Sequence, residues 1–144
     1  MQVSTLLEAK GPEVVTAAPG DLVSAVAALL ASHRIGAVVV STDGKSIDGV
    51  VSERDIVRAL ADRGAPALDD PVSVIMTSEV FTCEPGTTVE QLMALMTDQR
   101  IRHVPVLVEG SLAGIVSIGD VVKDRMRDLE NETQVLHEYI AHGR

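Results

Sequence analysis

Gly114-Ile115-Val116-Ser117-Ile118-Gly119-Asp120-Val121-Val122 decides how the chain reads, because a short apolar strand runs straight into Ser-x-x-Asp and then into helix-patterned sequence. The same word stands 65 residues earlier, as Gly49-Val50-Val51-Ser52-Glu53-Arg54-Asp55-Ile56-Val57, with five of nine positions identical. Upstream of each copy, an offset of 66 gives 12 identities over the 31 positions 14–44, where chance supplies about 2. The chain is therefore a tandem duplication. A period of this length is too long for a solenoid repeat and suits a pair of small domains.

Outward from those words, each copy follows one programme. Val14-Val15-Thr16 reads as a brief strand stopped by Pro19-Gly20, and Asp21 as the cap of a helix with its apolar stripe at Val23, Val26, Ala27 and Leu30. Ala37 to Val40 is a continuous apolar strand, Asp43-Gly44 a turn, Gly49 to Val51 a strand, and Ser52 opens a second helix. The unit is β-α-β-β-α. After a Pro/Asp-rich linker it repeats: Val80-Phe81-Thr82 as a strand, Thr87-x-x-Glu90 as a capping box, and Val89, Leu92, Met93 and Met96 as the helical stripe. Then come the strands Val104 to Leu107 and Gly114 to Val116. Val72 to Met76 echoes Val3 to Leu7, a short amphipathic turn. Beyond the repeat, Val122, Met126, Leu129, Thr133, Leu136 and Ile140 are spaced 4, 3, 4, 3, 4, a heptad seam that predicts a helix packing on its own domain, on a second copy or on a partner.

Composition narrows the function. The formal charge of −9 argues against nucleic acid and anionic lipid as general partners. Cys83 is the single cysteine, so neither an intramolecular disulfide nor a Cys-rich metal site is open. The N-terminal residues lack the pattern of a signal peptide, and no apolar run approaches the ~18 residues of a membrane span, so a cytoplasmic location is expected. No nucleophile–base pair or metal-ligand spacing stands out, which speaks against an enzyme.

Ser52-x-x-Asp55 and Ser117-x-x-Asp120 have a plain explanation as helix caps. Both also sit where a strand tip meets a helix N-terminus. There a carboxylate accepts from sugar hydroxyls and helix N–H groups attract phosphate. A nucleotide suits that geometry.

Val104-Pro105-Val106-Leu107, followed by Gly-Ile-Val-Ser-x-x-Asp and duplicated around Val-x-Val-Ile-Met-Thr (Val72 to Thr77), resembles a pair of CBS domains, or Bateman module, over nearly the whole chain. The run Met96 to Val106 and the charged C-terminal helix are similar to the short stand-alone CBS-pair proteins of bacteria and plant organelles. The resemblance implies an α+β fold: two β-α-β-β-α repeats, each with a small mixed sheet and two helices, packed about a pseudo-two-fold axis, with a C-terminal helix added. The expected division is repeat 1 over 1–64, linker 65–71, repeat 2 over 72–124, and helix and tail over 125–144.

It also implies a regulatory module that requires no cofactor and binds an adenosyl ligand: AMP, ADP or ATP, or alternatively S-adenosylmethionine or NAD. In one site Asp120 would hold the ribose and Ser117 the sugar or phosphate. Arg102 and His103 would face phosphate there, and Thr16 with the backbone of Ala37 and Val38 the adenine. In the other, Asp55 and Ser52 take those roles, with Thr82, Val104 and Pro105 around the base; the basic pair is replaced by Gly36-Ala37, which favours the Asp120 site for a phosphorylated ligand. A flat homodimer and an unknown protein partner are further implications. The competing expectation is a dimerisation and docking module that binds no nucleotide.

Overall fold

The computed structural model describes residues 1–142, and of His142 the backbone alone; Gly143 and Arg144, the end of the expected tail, lie outside the described residues. The elements are α1 (Val3–Lys10), β1 (Thr16–Ala17), α2 (Val23–His33), β2 (Ala37–Val40), β3 (Gly49–Ser52), α3 (Glu53–Arg63), α4 (Val89–Gln99), β4 (His103–Val108), β5 (Ser111–Ser117) and α5 (Ile118–His142), with 3₁₀ turns at Ala65–Asp69 and Val72–Val74 between α3 and α4. This is the expected α+β duplication.

In the first repeat β2 lies between β1, to which it is parallel, and β3, to which it is antiparallel. Every residue of β2 is buried, which is why it reads as an unbroken apolar run rather than an alternation. The second repeat keeps the β4–β5 hairpin but has lost most of its first strand. Val80 to Thr82 forms no strand, and only Cys83 bridges in parallel to Val106, the counterpart of the Ala17–Val40 pair. The next pair would need Pro105 where the first repeat has Val39. Proline has no N–H to donate, so the ladder ends after one residue. Cys83 is 6% exposed, and burial together with nearby Glu84 pushes its thiol up to about 11, which makes it a packing residue rather than a nucleophile.

Duplicate positions behave alike down to the backbone. Arg34 and Arg100, the C-caps of α2 and α4, are both left-handed at φ 55°. Two caps differ from expectation. The α4 box is Thr88 with Gln91, one residue later than Thr87/Glu90, because Thr87 Oγ1 instead accepts from Glu84 N–H in the Pro85-Gly86 turn. Asp21 likewise accepts from Ala18 N–H and leaves α2 with no side-chain cap.

The two cores exchange their first segments. α1 buries Val3 and Leu6 among Val89, Leu92, Met96, Val104 and Val116 of the second repeat. The Val72 turn does the reverse, placing Val72 in the first repeat's core with Ile75 and Met76 packed against it. The backbone contacts match pairwise: Val3 N–H donates to Thr87 O as Val72 N–H does to Asp21 O, and Ser4 N–H to Pro85 O as Ser73 N–H does to Pro19 O. Each repeat is thus completed by the segment that precedes the other.

From Val122 onward α5 leaves this body. Val122, Met126, Leu129, Leu136 and Ile140 are each more than half exposed, so among the described residues the heptad seam has nothing packed on it. No helix of the described residues is long and apolar enough to cross a membrane.

Candidate nucleotide crevice

Both Ser-x-x-Asp motifs fold as capping boxes, as their spacing predicts. Asp120 Oδ2 accepts from Ser117 N–H at 2.8 Å while Ser117 Oγ accepts from Asp120 N–H at 3.1 Å. Asp55 Oδ2 accepts from Ser52 N–H at 2.8 Å and from the Ser52 hydroxyl at 3.0 Å, and Ser52 Oγ accepts from Asp55 N–H at 3.3 Å. Each box is held at the end of a hairpin: Ser117 pairs with His103 across β4–β5, and Ser52 with Ala37 across β2–β3.

The two boxes then differ. Lys10, the last residue of α1, donates to Asp120 Oδ2 at 2.9 Å and to Ile115 O at 2.7 Å. Asp55 has no such ion pair among the described residues. The His103 ring crosses to the other repeat, where its Nε2 lies 3.1 Å from the point a Cβ on Gly36 would occupy. Glu53 lies close to that point as well, with its Cδ 3.8 Å away. The crevice therefore gathers Asp120, Ser117, His103 and Lys10, with Gly36 and Glu53 facing them from the first repeat. The absence of a side chain at Gly36 is what lets the imidazole in.

Burial is the main reason the His103 pKa is lowered, with the Lys10 and Arg102 charges adding to it against Glu53 and Asp120. The lowering favours the neutral imidazole, which offers a hydrogen bond rather than a charge. The crevice's positive charge comes from Lys10 and from Arg102, which is exposed and in no salt bridge among the described residues.

The remaining expected residues divide by exposure. Ala37, Val38, Val104 and Pro105 bury their side chains, so only their backbone can face a base. Thr16 is half-buried on β1 and Thr82 is exposed, and among the described residues neither side chain makes a hydrogen bond. Lys10, which lies just beyond the Val3 to Leu7 segment, was not singled out from the sequence; the 69-residue echo shows only that its duplicate position is Glu79. No group of His, Cys, Asp and Glu among the described residues could hold a metal ion.

Comparison with known proteins gives a family. The CBS domain model matches residues 9–62 and 72–127. The Arabidopsis thaliana CBS domain-containing protein CBSX3, mitochondrial, is 39% identical over 118 residues, 79% of this chain; the chain spans 57% of that protein's length. A CBS-domain containing protein from Agrobacterium tumefaciens superposes with a TM-score of 0.83 at 48% identity, covering 87% of this chain and 99% of that one. A CBS domain protein from Pyrobaculum aerophilum, solved complexed with AMP, superposes at 0.77 with 35% identity, covering 92% and 99%.

Proposed function

The chain belongs to the CBS-domain family, as a tandem pair, and from that premise we propose that it is a regulatory, non-catalytic module that binds an adenine nucleotide in the crevice at Asp120 and signals to a partner. One observation carries the reading. Folding brings the second repeat's Ser117–Asp120 box, with Lys10 on its carboxylate, beside the His103 ring, which lies against Gly36 of the first repeat, so a ligand there touches both repeats. A ligand that bridges two units with different affinity for their arrangements shifts the population between them, which is what a sensor requires. The acidic surface of the molecule is no obstacle, because local charge governs a small site. The AMP complex of the Pyrobaculum relative supports the ligand class.

Thermal denaturation with AMP, ADP, ATP, S-adenosylmethionine and NAD tests it. A ligand at 100 times its dissociation constant adds about 2.7 kcal/mol to folding stability. We expect one of the phosphorylated ligands to stabilise the wild type and Asp55→Ala but not Asp120→Ala. Loss in Asp55→Ala alone would transfer the site to the other crevice, and no shift with any ligand would sink the sensor reading.

A second reading, dimerisation and docking through α5, is favoured by the exposed seam. With Met126, Thr133 and Ile140 as a positions and Val122, Leu129 and Leu136 as d positions, a parallel pair of α5 helices sets Arg125 opposite Glu130 of a second copy and Glu132 opposite His137. The antiparallel alignment sets Glu130 against Glu130 and Glu132 against Glu132. Charge therefore favours a parallel homodimer. Light scattering at micromolar concentration is expected to show a dimer that Leu129→Glu/Leu136→Glu converts to monomer with its helical circular dichroism retained; a monomeric wild type removes this reading.

A further inference from the structure

Lys10 occupies the carboxylate that the nucleotide reading assigns to the ribose, and the inference here rests on that reading. We infer that Lys10 is an exchangeable counter-ion: it neutralises Asp120 until a nucleotide's sugar hydroxyls take the carboxylate, then passes to the phosphate, so that the crevice selects phosphorylated adenosyl ligands over uncharged or cationic ones.

Four observations lead there. Asp120 Oδ2 already holds Ser117 N–H and the Lys10 ammonium, whereas Oδ1 has no hydrogen bond among the described residues. A sugar diol needs both oxygens, so it competes with Lys10 and not with the backbone. Second, the pair is easily parted: the Lys10 side chain is 35% exposed and that of Asp120 22%, and ion pairs this open contribute little to stability. Third, only the side chain has to move. α1 is anchored through Val3 and Leu6 in the second core and by Leu7 closing over Gly114, so Lys10 swings on its flexible stem from a fixed backbone. Fourth, once the ligand takes Asp120, the one acid left in the crevice is Glu53, which the Lys10 and Arg102 cations outnumber, so a further anion has to come from the ligand. A phosphate supplies that anion. Adenosine does not, and S-adenosylmethionine offsets its one carboxylate with an ammonium and a sulfonium, leaving a net positive charge. The duplicate crevice lacks the device, because the position 69 residues after Lys10 is Glu79.

Isothermal titration of AMP and adenosine against wild type, Lys10→Met and Lys10→Arg decides the matter. In Lys10→Met, AMP should bind at least ~10-fold more weakly, a loss of about 1.4 kcal/mol, while adenosine binds several-fold more tightly because its competitor is gone. Lys10→Arg should keep the preference for AMP. If Lys10→Met shifts both ligands equally, or shifts neither while the wild type binds AMP, the counter-ion role is wrong although the crevice is a nucleotide site. If the wild type binds neither ligand, the nucleotide reading itself fails and this inference falls with it.

Discussion

Leu6→Ala should lower the free energy of unfolding by about 3 kcal/mol, a large share of the 5–15 kcal/mol typical of a small domain. By position Leu6 belongs to the first repeat, expected over 1–64, and its loss would be expected to damage the first core. It is 2% exposed, and its neighbours are Leu92, Met96 and Val104 of the repeat that begins some seventy residues later. Truncating it removes buried methyl groups and leaves a cavity that α4 and β4 close only in part. Leu60→Ala is the control, since Leu60 is 37% exposed and should change stability far less. Urea denaturation at one fixed protein concentration separates them, because any self-association would otherwise shift the midpoint. Equal and small effects would mean that α1 does not complete the second core in solution.

Gly49→Val should destabilise by about 3 kcal/mol, the upper end for overpacking, and by more than Gly114→Val. These glycines are duplicates with different lids. A Cβ on Gly49 would lie 2.7 Å from Met76 Sδ and 2.8 Å from Thr77 O. Thr77 O cannot retreat, since Thr77 and Val50 exchange two backbone hydrogen bonds of 3.0 and 2.9 Å. A Cβ on Gly114 meets Leu7 Cδ2 alone, at 2.8 Å, and that side chain can change rotamer. The denaturation midpoints of the two variants, read at unchanged m-value, are the check. A larger loss for Gly114→Val would contradict the backbone-limited account of Gly49.

These two results bear on function because α1 and the Val72–Met76 segment are the ties between repeats. α1 carries Lys10 to the crevice, and its packing on β5 sets where that ammonium sits relative to Asp120. β5 leads directly into α5. The Ile115 carbonyl and the Asp120 carboxylate that Lys10 holds both lie on the stretch where β5 passes into α5.

Much of this was readable from residue order. The duplication follows from matches at one fixed offset, and the β-α-β-β-α unit, the two Ser-x-x-Asp capping boxes and the helical heptad of α5 follow from side-chain spacing and cap chemistry that act between near neighbours along the chain. Even the missing strand of the second repeat was written at Pro105, although propensity at Val80 to Thr82 concealed it. Other features were not written locally. An amphipathic α1 says that Val3 and Leu6 are buried, but not in which core; that was decided by packing, since each repeat lacks one apolar segment and the stretch preceding the other repeat supplies it. The Lys10–Asp120 pair joins positions 110 residues apart, and no local rule selects one lysine among the chain's cations. The lowering of the His103 pKa comes first from burial, and the ring lies against Gly36 of the other repeat. The sequence alone determined what each segment is; only the tertiary structure decided which segments meet, because burial and charge pairing act through space rather than along the chain.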